Sequence, residues 1–213
     1  MIHFKNISAL IFDFGGVLIN LSRQRCIDSF RALGVRELEK YLDDFNQSGF
    51  FLELEQGKIS PEQFRNEVRK LTDQTLTDEQ IDQAFCSFLL DIPEEKLKLL
   101  LDIRKRFKIY LLSNTNLIHM NFCRAQHFHF NGYSMDDFFD KCYLSYELGL
   151  TKPDIRVFNA VIDDIGLAPQ QCLFLDDGLK NIEQAQKTGL QTYWVKQEED
   201  LSFLLQPEVF VYD

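Results

Sequence analysis

Four short runs, SALIFDF (8–14), KIYLLSN (108–114), QCLFLDD (171–177) and LQTYWV (190–195), are apolar at successive positions rather than alternate ones. A strand with one face in water alternates, whereas a strand covered on both faces does not. The runs therefore predict a parallel sheet held between helices. PDIRVFNAVIDDIGL (153–167) places Val157, Val161, Ile162 and Ile165 on one side of a helix and stops at Gly166. GLKNIEQAQKTG (178–189) reads as a short helix ended by Gly189. From Pro153 onward helix, strand, helix and strand alternate, the pattern of a doubly wound α/β fold.

Residues 21–92 contain no strand run. RQRCIDSFRALG (23–34), VRELEKYLDDFNQ (35–47), SPEQFRNEVRKL (60–71) and TDEQIDQAFCSFLL (77–90) all have helical period. Ser60 with Gln63, and Thr77 with Gln80, have the spacing of capping boxes. Helices lying between the first strand and the second imply an inserted lobe over 21–92, with 1–20 and 93–213 forming the α/β core. NFCRAQHFHFNGYS (121–134) lacks a clean period and is expected to be a long aromatic-rich loop.

The 213 residues fit one large domain or a core with a small inserted lobe. At 45% hydrophobic, with 20 Phe, the chain has enough apolar surface for a core. A formal net charge of -10 opposes general affinity for nucleic acid or anionic membrane, though not for a small anion in a local pocket. Cys26, Cys86, Cys123, Cys142 and Cys172 are scattered and odd in number, which fits reduced thiols better than disulfides or zinc. Asp13 interrupts the only apolar run that could serve as a signal region, and no run has the length of a membrane span. A soluble cytoplasmic protein is expected, either monomeric or a small homo-oligomer.

Three of the strand runs end in polar residues: Asp13, then Ser113 and Asn114, then Asp176 and Asp177. Strand termini in a parallel sheet share one edge, where ligands bind. One polar strand end means only that a loop begins. Three carboxylates, a hydroxyl, an amide and Lys152 at one edge mean more. Clustered carboxylates repel unless a cation compensates, and hard oxygen donors suit Mg2+. With Lys152 as a second positive charge and Ser113 and Asn114 as donors to phosphate oxygens, Asp13 could attack phosphorus and form an aspartyl phosphate.

IFDFGGVL (11–18), LLSNTN (111–116), TKPD (151–154) and FLDDGLKNIEQA (174–185) resemble, in order and spacing, the four motifs of the haloacid dehalogenase superfamily. The helical block resembles that family's C1-type cap, and nearly the whole chain is covered. Within the family the chain is most similar to bacterial phosphatases of small sugar phosphates, including the α-D-glucose-1-phosphate type. The resemblance implies a Mg2+-dependent phosphatase of a small phosphate ester, possible substrates including sugar 1-phosphates. It implies that Asp13 is the nucleophile, Ser113 binds phosphate with Asn114 beside it, and Lys152 bridges nucleophile, phosphate and an acidic residue. It gives the metal to Asp13, Asp177 and the main-chain oxygen of Gly15, while Asp176 either ligates the ion or holds Lys152. Asn181 is expected to support the loop by a hydrogen bond.

At Gly15 the family's phosphatases usually carry an aspartate that protonates the leaving group and then activates water, a role of roughly 10²- to 10⁴-fold in rate. Its absence implies a preference for good leaving groups such as anomeric phosphates, and relatives of this kind tend to share the glycine. His119, His127 and His129 are accounted for by packing or exposure, with one a candidate stand-in for the acid. EQGKIS (55–60) reads as a helix connection rather than a catalytic element. Two other functions remain open: a dehalogenase, in which Asp13 attacks carbon, and a low-turnover phosphate-binding or regulatory protein.

Overall fold

The computed structural model describes residues 3–42 and 47–212. Its strands are β1 (Phe4–Lys5), β2 (Ala9–Phe12), β3 (Lys108–Ser113), β4 (Lys141–Leu144), β5 (Cys172–Asp176), β6 (Gln191–Trp194) and β7 (Phe210–Val211). β1 and β7 form a small parallel pair, and the other five form a parallel sheet in the order β4-β3-β2-β5-β6. All four apolar runs thus become strands. β4 is an addition at one edge. Its sequence, KCYL, gave little apolar signal because Lys141 and the Tyr143 hydroxyl turn to Asp164, each at 2.7 Å.

The missing alternation has a direct cause in packing. Leu10, Phe12, Leu111 and Leu175 join one apolar cluster, while Ala9, Ile11, Leu112 and Phe174 join another on the opposite face. Successive residues of a strand point to opposite faces, so two covered faces require apolar residues at every position. The helices are α1 (Arg23–Ala32), α2 (Gly49–Glu55), α3 (Pro61–Arg69), α4 (Asp78–Cys86), α5 (Glu94–Ile103), α6 (Leu117–Gln126), α7 (Met135–Phe138), α8 (Ser145–Leu148), α9 (Ile155–Ile165) and α10 (Leu179–Gln186). Val157, Phe158 and Val161 of α9 and Ile182 and Ala185 of α10 cover the second face. α9 ends where Gly166 takes φ 71°, a left-handed geometry that glycine adopts without steric cost.

α1 to α4 share an apolar cluster of their own, built on Phe30, Phe51, Phe64 and Phe85. The chain enters and leaves this lobe through one stem, in which Ser22 N donates to Phe88 O at 2.8 Å and Leu90 N to Asn20 O at 2.9 Å. Both capping boxes form, with Ser60 and Gln63 opening α3 and Thr77 and Gln80 opening α4. Arg65 on α3 grips Asp82 on α4 through two bonds of 2.9 and 2.7 Å.

Two local expectations need correction, and one helix is added. Within VRELEKYLDDFNQ only Leu38–Lys40 coils, as a single 3-10 turn preceded by Glu37 at φ 59°, and residues 43–46 lie outside the described residues. A helix nobody could read from the period, α2, follows in GFFLELE, where three bulky residues in a row blur the stripe. NFCRAQ is not a loop but the second half of α6, which Asn116 caps by accepting from His119 N at 3.0 Å. α6 packs Met120 and Cys123 against the sheet side and Ile118 into the lobe, so it is apolar on two sides and shows no single stripe. No helix among the described residues is long and apolar enough to cross a membrane.

Candidate active site

Strand register brings the polar strand ends together. Phe12 pairs with Leu111 on one side and Leu175 on the other, so Asp13 and Asp176 emerge at one level of the sheet and Ser113 one residue further along. Asp13 N still donates to Leu175 O at 2.8 Å, which holds the residue in the line of β2 as it leaves the sheet. Asp13 Oδ1 accepts from Phe14 N at 2.6 Å and is paired with Lys152 Nζ at 2.7 Å. Its Oδ2 takes no hydrogen bond among the described residues.

Lys152 is buried, and its ammonium also donates to Asp176 Oδ2 at 2.7 Å. Asp176 is fully buried, its other oxygen accepting from Gly178 N at 2.7 Å and from Asn181 Nδ2 at 2.9 Å. The Asn181 bond anticipated for this loop therefore falls on Asp176. Asn114 spends both ends of its amide on the Lys152 main chain, accepting from Lys152 N and donating to Lys152 O, each at 2.8 Å. Its side chain orients the lysine. Ser113 is buried, and its hydroxyl has only a long 3.4 Å bond to Asn114 O.

One carboxylate oxygen from each of Asp13, Asp176 and Asp177 falls within 4.8 Å of the others. Burial pushes the Asp13 carboxyl well up, Lys152 pulls it down, and Asp176 and Asp177 push it up again. Burial, and then the charge of Asp176, carries the Asp177 carboxyl up to about 6. Burial works against the Lys152 ammonium, but Asp13 and Asp176 hold it above the ordinary lysine range. Three acids sharing one ammonium leave negative charge uncompensated. The all-oxygen donor set suits a hard divalent cation.

Glycine is needed at position 16 rather than 15. Gly16 has φ 72°, and a Cβ there would stand 2.1 Å from Asp177 Oδ2. Gly15 is not in the left-handed region, and a Cβ there would meet the tip of Leu21, Cδ1, at 2.8 Å. Backbone angle is thus no barrier to a larger residue at 15. Gly16→Ala is expected to lose about 1–2 kcal/mol through the left-handed backbone alone, and more through displacement of Asp177. Gly15→Ala should lose less, because a leucine tip can rotate away. Urea denaturation of the two variants checks the order.

Among the described residues no histidine belongs to the carboxylate group, although His119 lines a small pocket with Gly15, Glu55 and Asn114. His119 is buried between the rings of Phe85 and Phe88, with centroids at 3.9 and 6.0 Å, and its Nε2 lies 3.3 Å from Phe85 O. Burial pulls its pKa down to about 4, so near neutral pH it has no acidic proton of imidazolium to give. His129 is exposed and bonds Ala125 O, and His127 packs on Phe122.

The stretch EQGKIS, read from the sequence as a helix connection, supplies a residue to this cleft instead. Glu55, the last residue of α2, lines the same cleft as Asp13, Gly15 and Lys152. Its sequence signal was an acidic residue two positions before Gly57, at a helix end that the period did not reveal.

The family model described as haloacid dehalogenase-like hydrolase matches residues 7–189. The chain is a haloacid dehalogenase-like hydrolase. The D-ribitol-5-phosphate phosphatase of Bacteroides thetaiotaomicron is 38% identical over 187 residues, 88% of this chain and 91% of that relative. A phosphatase of Mycobacterium tuberculosis is 27% identical over 202 residues, 89% of this chain and 88% of that protein. A haloacid dehalogenase family enzyme of B. thetaiotaomicron, crystallised as the wild-type protein with magnesium and inorganic phosphate, has TM-score 0.89 and 42% identity. That similarity covers 94% of this chain and 100% of that one. An L-2-haloacid dehalogenase structure at 18% identity and TM-score 0.59 shares the fold alone, covering 90% of this chain and 85% of its own.

Proposed function

We propose that this hydrolase is a Mg2+-dependent phosphatase of small sugar or sugar-alcohol phosphates, working through an aspartyl phosphate on Asp13. The observation that carries the reading is the pairing of Asp13 with buried Lys152 at 2.7 Å inside a group of three carboxylates. Mg2+ would be held by Asp13, Asp177 and the main-chain oxygen of Gly15, and when bound it supplies the positive charge that lets a phosphate dianion enter. Of the two roles open to Asp176, its bonds to Lys152, Gly178 and Asn181 support that of holding the lysine. Lys152, aligned by Asn114, neutralises phosphate oxygens, and the Ser113 hydroxyl turns to donate to one of them. Asp13 then attacks phosphorus, and water later releases inorganic phosphate.

The lobe of residues 21–92 serves as the cap, contributing Leu21, Gln47, Glu55 and Phe88 to the lining of the cleft. A cavity of about 410 Å3 suits a substrate of sugar size. The relatives named for phosphatase activity, one of them on D-ribitol 5-phosphate, support the reaction class. They leave a sugar 1-phosphate and a primary polyol phosphate both to be tried. A dehalogenase attacking carbon requires no cation and leaves Asp177 without a task.

A panel holding D-ribitol 5-phosphate, sugar 1-phosphates and 2-haloacids tests the reading. Phosphate release from at least one sugar or polyol ester is expected, lost in EDTA and restored by Mg2+. Turnover that survives complete chelation, or halide release without phosphate release, would overturn it.

A further inference from the structure

We infer that Glu55 is the general acid and base of this reaction, acting from the cap where the family usually places a carboxylate at position 15. The inference rests on the phosphatase reading above. Chemistry on an ordinary alcohol leaves a demand that Asp13 and Lys152 do not meet: a proton must reach the departing oxygen, and one must leave the attacking water. Position 15 has no side chain, and His119 is neutral and shut between two phenyl rings.

Glu55 meets the geometric requirement. Glu55 lines one cleft with Asp13, Gly15 and Lys152, and its carboxyl makes no hydrogen bond or ion pair among the described residues. Its main chain, by contrast, is fixed to the core. Ser145 Oγ donates to Glu55 O at 2.7 Å, and the same serine accepts from Thr115 N at 2.9 Å, next to the strand end that carries Ser113 and Asn114. Gln56 Nε2 reaches Thr151 Oγ1 at 3.5 Å, one residue before Lys152. Gly57 takes φ 64° and lies so close to the core that a Cβ would stand 2.2 Å from Tyr146 O. A cap residue with a free carboxyl and an anchored backbone is held for use at the core's site.

The electrostatics agree. Burial raises the Glu55 carboxyl to about 8, with the positive charge of Lys152 opposing. Asp13, Lys152, Asp177 and Lys180 are the charged groups that share the cleft with it. Burial thus favours the protonated form that an acid needs.

The two steps balance. In the first, the bond from Asp13 to phosphorus forms, the phosphorus–oxygen bond of the ester breaks, and the departing oxygen takes the Glu55 proton. In the second, water attacks phosphorus and gives its proton to the Glu55 carboxylate, and the bond to Asp13 breaks. Orthophosphate leaves with Glu55 protonated again.

Glu55→Gln separates this role from a structural one, since the change is nearly isosteric and leaves the Ser145 anchor on the main chain. Release of the alcohol in the first turnover is to be timed for D-ribitol 5-phosphate and for p-nitrophenyl phosphate, whose phenolate departs without a proton. The variant is expected to slow the first ester by roughly 10²- to 10⁴-fold and the second by less than about tenfold. Acid quenching should also trap more phosphorylated Asp13 than in wild type, because water is no longer activated. Equal slowing of both esters, or slowing of neither, would overturn the assignment to Glu55. Failure of the wild type to release phosphate from either ester in Mg2+ would instead overturn the phosphatase reading.

Discussion

Asp13→Asn is expected to remove turnover while leaving the protein folded. The amide keeps the shape of the side chain and an oxygen to accept from Phe14 N, a bond of 2.6 Å in the present structure. It lacks the negative oxygen that attacks phosphorus. Loss of a nucleophile typically lowers kcat by at least ~10⁴-fold. Stability should not suffer, because the change removes one of three carboxylates that burial and mutual repulsion already disfavour. Steady-state phosphate release and a thermal melt monitored by circular dichroism decide the matter together. Retention of most activity would exclude the covalent route through Asp13. Unfolding of the variant would show that the carboxylate is needed to pair with Lys152 more than the site needs relief from repulsion.

Lys152→Ala should lose both activity and stability. The ammonium lies 2.7 Å from Asp13 and 2.7 Å from Asp176, and all three groups are buried. Removing one member of a buried ionic group strands its partners and costs about 3–5 kcal/mol. In the variant the Asp13 and Asp177 carboxyls, already raised by burial, lose the lysine charge that pulls them down and titrate above their unfolded values. Their neutral forms keep the fold stable at low pH, and that stability is lost as pH rises through the folded values. The deficit against wild type in urea should therefore be larger near pH 8 than near pH 5. Adding Asp176→Asn should recover part of the stability without recovering turnover, which separates the lysine's role in the fold from its role toward phosphate. An equal deficit at both pH values would mean that lost packing, not stranded charge, sets the cost.

The stretches that carried clear physical signals were legible without coordinates. Each of the runs leading to Asp13, Asn114 and Asp177 has apolar residues at consecutive positions, and each proved to be a strand with both faces covered. The capping pairs Ser60–Gln63 and Thr77–Gln80 act locally over one turn, so their spacing was enough to place two helix starts. β4, α2 and the body of α6 were not legible. β4 is an edge strand with mixed exposure, α2 is masked by consecutive bulky residues, and α6 is wedged between core and lobe. In each of these, contact with distant parts of the chain decides which positions are apolar, and local period carries little of that information.

The same division runs through the site. Sequence alone determined the parallel sheet, and with it the gathering of Asp13, Ser113, Asp176 and Asp177 at one edge, because strand direction and strand length follow from local pattern. It also determined that position 15 lacks a carboxylate. Only the tertiary structure decided that the Asn114 amide is spent on the Lys152 main chain, that Asp176 is closed off behind the lysine, and that His119 is a packed, neutral ring. It alone brought Glu55, 42 positions along from Asp13, into the cleft that Gly15 and Asp13 line, through an anchor on Ser145. Hydrogen-bond partners and desolvation depend on what surrounds an atom in three dimensions, and residues from the cap and the core share no local pattern that would announce their meeting.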